Sequence, residues 1–129
     1  MGISKTSRRR EFKTYRVRGH LRHANGLPAP QTKVAAFDKD LQSEQLLGEV
    51  MTDDRGTYII EYSRDLLLGP VRGSANLVVR AYDIDDSLIG ESSVQYGVRG
   101  EVTIDLTVVR DQTRLRKMFL WLISRLRGV

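Results

Sequence analysis

Alternation of apolar and polar residues is the feature that most constrains how this chain folds. In the first alternating segment, Tyr15, Val17, Gly19 and Leu21 share one face, and polar or charged side chains occupy the other. A period of two is typical of a half-buried β-strand. With no βαβ rhythm between the segments, it predicts an all-β, seven-stranded antiparallel sandwich. The six later predicted strands are Lys33–Asp38, Leu47–Thr52, Thr57–Tyr62, Asn76–Asp83, Ser87–Val94 and Glu101–Val109.

The segments between these strands carry turn signals. Asn25-Gly26 and Asp53–Gly56 contain residues that adopt a positive φ at little cost, which predicts tight turns there. Two residues after Gly56, we expect the Tyr58 ring to point inward and pack beneath the turn. Ser63 is expected to start a helical turn that ends before Gly69-Pro70.

Length and composition limit the class of protein. A chain of 129 residues, 40% of them hydrophobic, predicts one domain with a single core. The absence of cysteine excludes disulfides, thiolate metal sites and a cysteine nucleophile. No stretch approaches the roughly 20 apolar residues of a membrane-spanning helix, and no apolar signal core is present at the N-terminus. We therefore expect a soluble protein, either in a bacterial cytoplasm or exported within an assembly.

The period changes from two to 3.6 near position 110. From Asp111, a predicted N-cap, the spacing indicates an amphipathic helix with a wide apolar stripe, flanked by Trp121. The predicted organisation is a flexible basic arm (1–11), a sandwich (12–110) and a basic helix (111–129). The apolar stripe consists of Leu115, Met118, Phe119, Leu122, Ile123 and Leu126.

Charge is distributed unevenly along the chain. Basic side chains outnumber acidic ones by eight to one in residues 1–23 and by five to one in 111–129, whereas residues 24–110 hold eight basic and fourteen acidic side chains. An acidic body would repel phosphate, and no aromatic platform accompanies the basic ends, so nucleic-acid binding is not expected. The arm, with Arg8, Arg9 and Arg10, is expected to be solvated or docked on a partner.

Three interpretations of the C-terminal helix remain open. Its apolar stripe would pack on its own sandwich, dock into a partner protein or a second copy, or lie on an anionic membrane. In the membrane alternative, Trp121 and the arginines sit at the interface, and Arg8–Arg10 supply a second weak anchor.

Aspartates are concentrated in two similar hairpins. Ala36–Asp40 leads to Leu47-Gly48, and Ala81–Asp85 leads to Ile89-Gly90. If the two hairpins lie at one end of the sandwich, their carboxylates would surround Ca²⁺, a cation that prefers six to eight oxygen ligands. The alternative is that each aspartate bonds nearby backbone N–H groups in its own turn. The candidate ligands are Asp38, Asp40, Asp83, Asp85 and Asp86.

The order of turn and strand residues resembles the transthyretin-like (prealbumin-like) β-sandwich domains, and most of all their carboxypeptidase regulatory-like branch. The resemblance covers residues 13–109. The run from Ala36 to Gly48 is most similar to modules that accompany the A subunits of insecticidal toxin complexes. One position departs: Gln31 stands where the family usually has a glycine before its second strand. The matching elements are Val17-x-Gly19, Gly26-x-Pro28, Val34-x-Ala36, Leu47-Gly48, Thr52-Asp53, Gly56 and Tyr58-x-Ile60.

The resemblance implies a folded spacer or recognition domain, with no cofactor. Related hydroxyisourate hydrolases use histidine, arginine and a C-terminal Tyr-Arg-Gly-Ser, whereas this chain ends in Arg127-Gly128-Val129. His20 and His23, three residues apart on a strand, point to opposite faces. We therefore expect a non-enzymatic adaptor of a bacterial toxin-delivery or injection-type assembly, docking through its helix. The alternatives are a peripheral membrane protein and a carbohydrate-binding sandwich. Sugar-binding surfaces need exposed aromatic side chains, and Trp121 lies outside the predicted sandwich, so the sequence offers little for the last alternative.

Overall fold

The alternating segments form two β-sheets. The structure, a computed structural model, describes residues 15–67 and 73–109. Its regular elements are nine strands and one turn of 3-10 helix (Arg64–Leu66), which Ser63 caps as expected by accepting from Asp65 N. The strands are β1 (Tyr15–His23), β2 (Lys33–Lys39), β3 (Glu44–Met51), β4 (Thr57–Tyr62), β5 (Ala75–Tyr82), β6 (Leu88–Glu91), β7 (Gln95–Val98), β8 (Glu101–Thr103) and β9 (Leu106–Val108).

Strand order is simple in each sheet. The four-stranded sheet runs β4-β1-β8, and β9 continues beside β1 after β8 ends. The five-stranded sheet runs β3-β2-β5-β6, with β7 also paired to β5. β1 is antiparallel to β4 but parallel to both β8 and β9, whereas all pairs in the five-stranded sheet are antiparallel.

The all-β prediction is confirmed, and two of its details are wrong. The described residues form nine strands instead of seven, because β7 begins after the predicted Ser87–Val94 segment and the predicted Glu101–Val109 strand is interrupted between Thr103 and Leu106. The sandwich is not wholly antiparallel, because β8 and β9 run alongside β1. A period of two specifies which face is buried but carries no information about strand direction.

The core lies between the two sheets and follows the predicted alternation. Val17 and Leu21 of β1 are fully buried, and Gly19 lies between them on the same face. The core residues of β2 and β5 combine small side chains, such as Ala36 and Ala81, with larger ones, such as Leu77. The remaining buried apolar residues of this core are Ala29, Val34, Leu47, Tyr58, Ile60, Tyr62, Ala75, Val79, Ile104, Leu106 and Val108.

The interruption between β8 and β9 has a specific cause. Ile104 N donates to Arg18 O, while Ile104 O accepts the hydroxyl proton of buried Tyr58. This carbonyl lies so close to β1 that a Cβ on Gly19 would be 1.9 Å from it. Gly19 and Tyr58 therefore hold the Ile104 backbone against the centre of the sheet, where the strand ladder breaks.

Two predicted turns are confirmed, and a third position is unexpected. Gly26 and Gly56 both adopt a positive φ, at +88° and +74°. Gln31 also has a positive φ, +53°, a conformation that side chains with a Cβ adopt rarely. Its backbone N donates to Thr52 O and its Nε2 donates to Asp54 Oδ1, and these bonds hold the residue in place. The turn thus keeps the backbone that a glycine would take.

The two buried tyrosines offer a matched test of the core. The Tyr58 hydroxyl donates to Ile104 O, whereas the buried Tyr62 hydroxyl has no partner among the described residues. We expect Tyr58→Phe to lower the free energy of unfolding by about 1–2 kcal/mol, because a buried carbonyl loses its donor. Tyr62→Phe should be neutral or stabilising, because it removes an unpaired polar atom. Urea denaturation of both variants checks this, and equal losses would contradict it.

The same pair predicts an alkaline limit to stability. Burial raises the pKa of Tyr62 to about 12 and raises that of Tyr58 further. A free tyrosine ionises near pH 10, so the unfolded chain releases these protons first as the pH rises. The contribution of these two tyrosines to stability is therefore complete below about pH 10 and falls above it, and Tyr62→Phe should reduce that fall in the same denaturation measurement.

Candidate functional site

The two aspartate turns lie at opposite ends of the five-stranded sheet. β2 and β5 are antiparallel, with Lys33 opposite Tyr82 and Asp38 opposite Leu77. The turn after β2 therefore lies about 17 Å from the turn after β5, at five residues of strand rise. The hypothesis of one calcium site built from Asp38, Asp40, Asp83, Asp85 and Asp86 is wrong for this reason. No group of three or more metal-binding side chains occurs among residues 15–67 and 73–109.

Each of these aspartates instead takes part in local contacts. Asp40 Oδ1 accepts from Leu41 N and Asp83 Oδ1 accepts from Ile84 N, both at 2.7 Å. Asp85 Oδ1 accepts from the Ser87 backbone at 3.1 Å and from its hydroxyl at 2.6 Å. Asp86, at φ +65°, binds Lys33 Nζ at 2.7 Å. The turn interpretation therefore matches Asp40, Asp83 and Asp85, whose carboxylates accept from backbone N–H groups of their own turns. Asp86 instead pairs with a side chain of β2.

Asp38 differs from the other four because it is almost fully buried, at 1% exposure. Its Oδ1 accepts from Asn76 N at 2.8 Å, which fixes the start of β5 against the end of β2. Asn76 continues this network, since its Oδ1 accepts from Gly97 N and its Nδ2 donates to Lys39 O. Asp38 thus anchors three strands of one sheet.

An ion-pair cluster covers the centre of the outer face of the five-stranded sheet. Arg80 binds both carboxylate oxygens of Glu44 at 2.7 Å and one of Glu91 at 2.6 Å, and its guanidinium lies 4.8 Å from the Phe37 ring centroid. These carboxylates raise the pKa of Arg80, and the guanidinium lowers the pKa of Glu44. Sequence reasoning missed the cluster because it depends on which strands are neighbours, although Glu44, Arg80 and Glu91 all occupy outward positions.

Next to this cluster, one cross-strand row of the outer face is partly apolar. The pairing places Met51, Lys33, Tyr82 and Leu88 side by side on β3, β2, β5 and β6; we call these four residues the end row. Their neighbours Val34 and Ala81 point into the core, so the end row points outward. Met51 is 57% exposed and Leu88 is 46% exposed.

An open cleft of about 580 Å³ borders the end row. Pro30, Thr32 and the β5–β6 turn form its rim, and Ile84 in that turn is fully exposed. Lys33 Nζ lies 5.3 Å from the Tyr82 ring centroid and also reaches Asp86, so it links the row to the turn. The cleft combines apolar side chains with carboxylates, a combination suited to a cationic amphipathic segment.

The described chain ends beside this row. Val109 N donates to Ile89 O, and β9 passes so close to β6 that a Cβ on Gly90 would be 3.0 Å from Thr107 O. Positions 107 and 109 therefore lie against 90 and 89, and the two segments run in opposite directions. At Val109 the chain is therefore directed toward Leu88 and the turn after β5.

The predicted docking residues lie outside the described ranges. They are Arg8, Arg9 and Arg10 of the arm and Leu115, Met118, Phe119, Trp121, Leu122, Ile123 and Leu126 of the C-terminal segment. The amphipathic helix and its docking role therefore stay predictions. Within the described residues, no helix is long and apolar enough to cross a membrane.

Comparison with known proteins gives the fold alone. No protein family and no curated protein matches the chain by sequence. Among solved structures, a 9R-lipoxygenase from Cyanothece PCC8801 is similar over 75% of this chain, with 17% identity and a TM-score of 0.50. The match spans only 16% of the lipoxygenase, so it concerns one part of that enzyme.

Two further solved structures are similar at a lower level. An alternative pilotin from the type II secretion system of Vibrio cholerae matches 76% of this chain and 99% of its own length, with 15% identity and a TM-score of 0.49. An (S)-allantoin synthase matches 75% of this chain and 41% of its own length, with 14% identity and a TM-score of 0.47. Neither similarity indicates a function for this chain.

Proposed function

We propose that this protein is a non-enzymatic binding module in which a β-sandwich carries a C-terminal docking segment, residues 111–129. The observation that supports it most is that the two sheets bury a continuous core built from described residues. An amphipathic segment that the core does not require is available for recognition, and its apolar stripe needs a surface to cover it.

The proposed class is a transthyretin-like sandwich. The features that support it are the buried Tyr58, two residues after the Gly56 turn, and the positive φ of Gln31, at the position where such domains usually have glycine. The proposed setting, an accessory of a bacterial toxin-delivery or injection-type assembly, rests on the sequence resemblance of the run from Ala36 to Gly48.

The experiment compares the full chain with a chain that ends after Val109. Both are immobilised and incubated with an extract of the source cells, and the retained proteins are identified by mass spectrometry. We expect both chains to unfold cooperatively and only the full chain to retain a partner. Retention of the same proteins by both chains, or by neither, would contradict the proposal. Vesicles with and without anionic lipid separate docking from membrane binding, because a protein-docking segment should not require lipid charge.

A further inference from the structure

The outer face of the five-stranded sheet is unevenly covered. Arg80, bound to Glu44 and Glu91, shields its centre, and the Arg80 side chain is only 15% exposed. The end row has no such cover from the described residues, since Met51 and Leu88 keep about half of their surface in contact with solvent. Ile84, next to the row, is fully exposed. Covering these side chains with further apolar surface would therefore stabilise the protein.

The path of the chain leads to this surface. Val109 is hydrogen-bonded to Ile89, the residue after Leu88, and the chain is directed toward the turn after β5. Twenty residues follow Val109. Because Val109 lies beside the residue that follows Leu88, a connection of only a few residues is enough to bring the segment to the end row.

The dimensions of segment and surface agree. Three interstrand spacings separate Met51 on β3 from Leu88 on β6, which is about 14 Å. The apolar stripe from Leu115 to Leu126, if helical as predicted, extends about 18 Å. The stripe is long enough to cross all four strands, and residues 110–114 remain to join it to β9.

Charge favours the same placement. The segment 111–129 holds five basic side chains against Asp111, and the turn beside the end row holds Asp83, Asp85 and Asp86. Among the described residues, Lys33 forms a salt bridge with Asp86 of this turn. A basic segment lying over the row would place its arginines near these carboxylates, an attraction that sets orientation more than affinity.

We infer that, in the free protein, residues 111–129 lie across the end row of their own sheet, with the apolar stripe against Met51, Tyr82 and Leu88. The inference rests on the proposed docking role of this segment and adds where the segment is held before a partner binds. A partner must then displace the segment from the sheet, so binding is weaker than that of the isolated stripe by the free energy of this internal contact.

Disulfide trapping in the purified full chain tests the inference. The chain has no cysteine, so an introduced pair is the sole source of a disulfide. Leu122→Cys on the stripe is combined with Leu88→Cys in the end row, or with Ile59→Cys as the control. Ile59 is 48% exposed, close to the 46% of Leu88, but lies on the outer face of the four-stranded sheet. Far-UV circular dichroism establishes that both variants keep their β-structure.

We expect the 88/122 pair to form an intramolecular disulfide at least about tenfold faster than the 59/122 pair, because docking raises the local thiol concentration. Ile84→Cys with Leu122→Cys should also form it faster than the control. Equal rates, or no disulfide in the 88/122 pair, would overturn the inference. A disulfide-linked dimer would overturn it as well, by placing the segment on a second copy. None of these results changes the partner-retention experiment, so the two proposals fail separately.

Discussion

Gly19→Ala is expected to lower the free energy of unfolding by about 3 kcal/mol, because overpacking at a point of backbone contact forces strands apart. The added Cβ would lie 1.9 Å from Ile104 O, and the Tyr58 ring lies 3.0 Å away on the same side. Ile104 cannot move away easily, because its N–H donates to Arg18 O and its carbonyl oxygen accepts the Tyr58 hydroxyl proton.

Gly26→Ala is the matched control. Gly26 has a φ of +88° and nothing within 4 Å of its ideal Cβ, so alanine there introduces backbone strain without a clash. We expect Gly26→Ala to lower the free energy of unfolding by about 1 kcal/mol. Chemical denaturation of both variants measures the difference, and equal losses of unfolding free energy would contradict a tight contact between β1 and Ile104.

Asp38→Ala is expected to destabilise the protein by about 2–3 kcal/mol, because it deprives a part-buried backbone N–H of its charged acceptor. The Asp38 carboxylate is 1% exposed and accepts from Asn76 N, and Asn76 in turn holds Gly97 of β7. The loss should therefore include weakened pairing of β5 with both β2 and β7.

Asp40→Ala serves as its control, because the Asp40 carboxylate is exposed and accepts from the adjacent Leu41 N within its own turn. We expect Asp40→Ala to lower the free energy of unfolding by about 0.5 kcal/mol. Thermal unfolding of both variants, with and without added Ca²⁺, tests the distinction. Calcium should shift neither transition, and a calcium-dependent rise in the unfolding temperature of the wild-type chain that Asp38→Ala abolishes would restore the metal hypothesis.

Burial could be predicted from the sequence because it depends on local alternation. The pattern Val17-x-Gly19-x-Leu21 specified the inward face of β1, and Gly56 with Tyr58 specified both a turn and an inward ring. The bounds of β4, Thr57–Tyr62, agree residue for residue with the prediction. In each case the deciding interactions involve residues a few positions apart.

Strand neighbours and directions could not be predicted in the same way. The calcium hypothesis required the turns after β2 and β5 to meet, and the antiparallel pairing of those strands separates them. Arg80 finds Glu44 and Glu91 only because β3, β2, β5 and β6 are arranged in that order. The break at Ile104 likewise follows from a contact with Gly19, 85 positions earlier. Alternation gives no information about contacts at that separation.

Gln31 illustrates a third situation, in which a residue with a Cβ adopts a backbone conformation that glycine takes more readily. Glycine is favoured at a φ of +53° because other residues meet a steric penalty there. The bonds from Gln31 to Thr52 O and Asp54 Oδ1 offset part of that penalty. Such compensation depends on residues of the neighbouring loop, so it cannot be inferred from the identity of residue 31 alone.

Site-specific photo-crosslinking tests the central claim, that recognition resides in the C-terminal segment. A photoreactive residue is placed at Leu122, on the apolar stripe, or at Ser124, on the opposite side of the predicted helix, and each chain is irradiated in an extract of the source cells. We expect a specific heavier adduct from position 122 and little from position 124. The same adducts from both positions, or none from position 122, would contradict it.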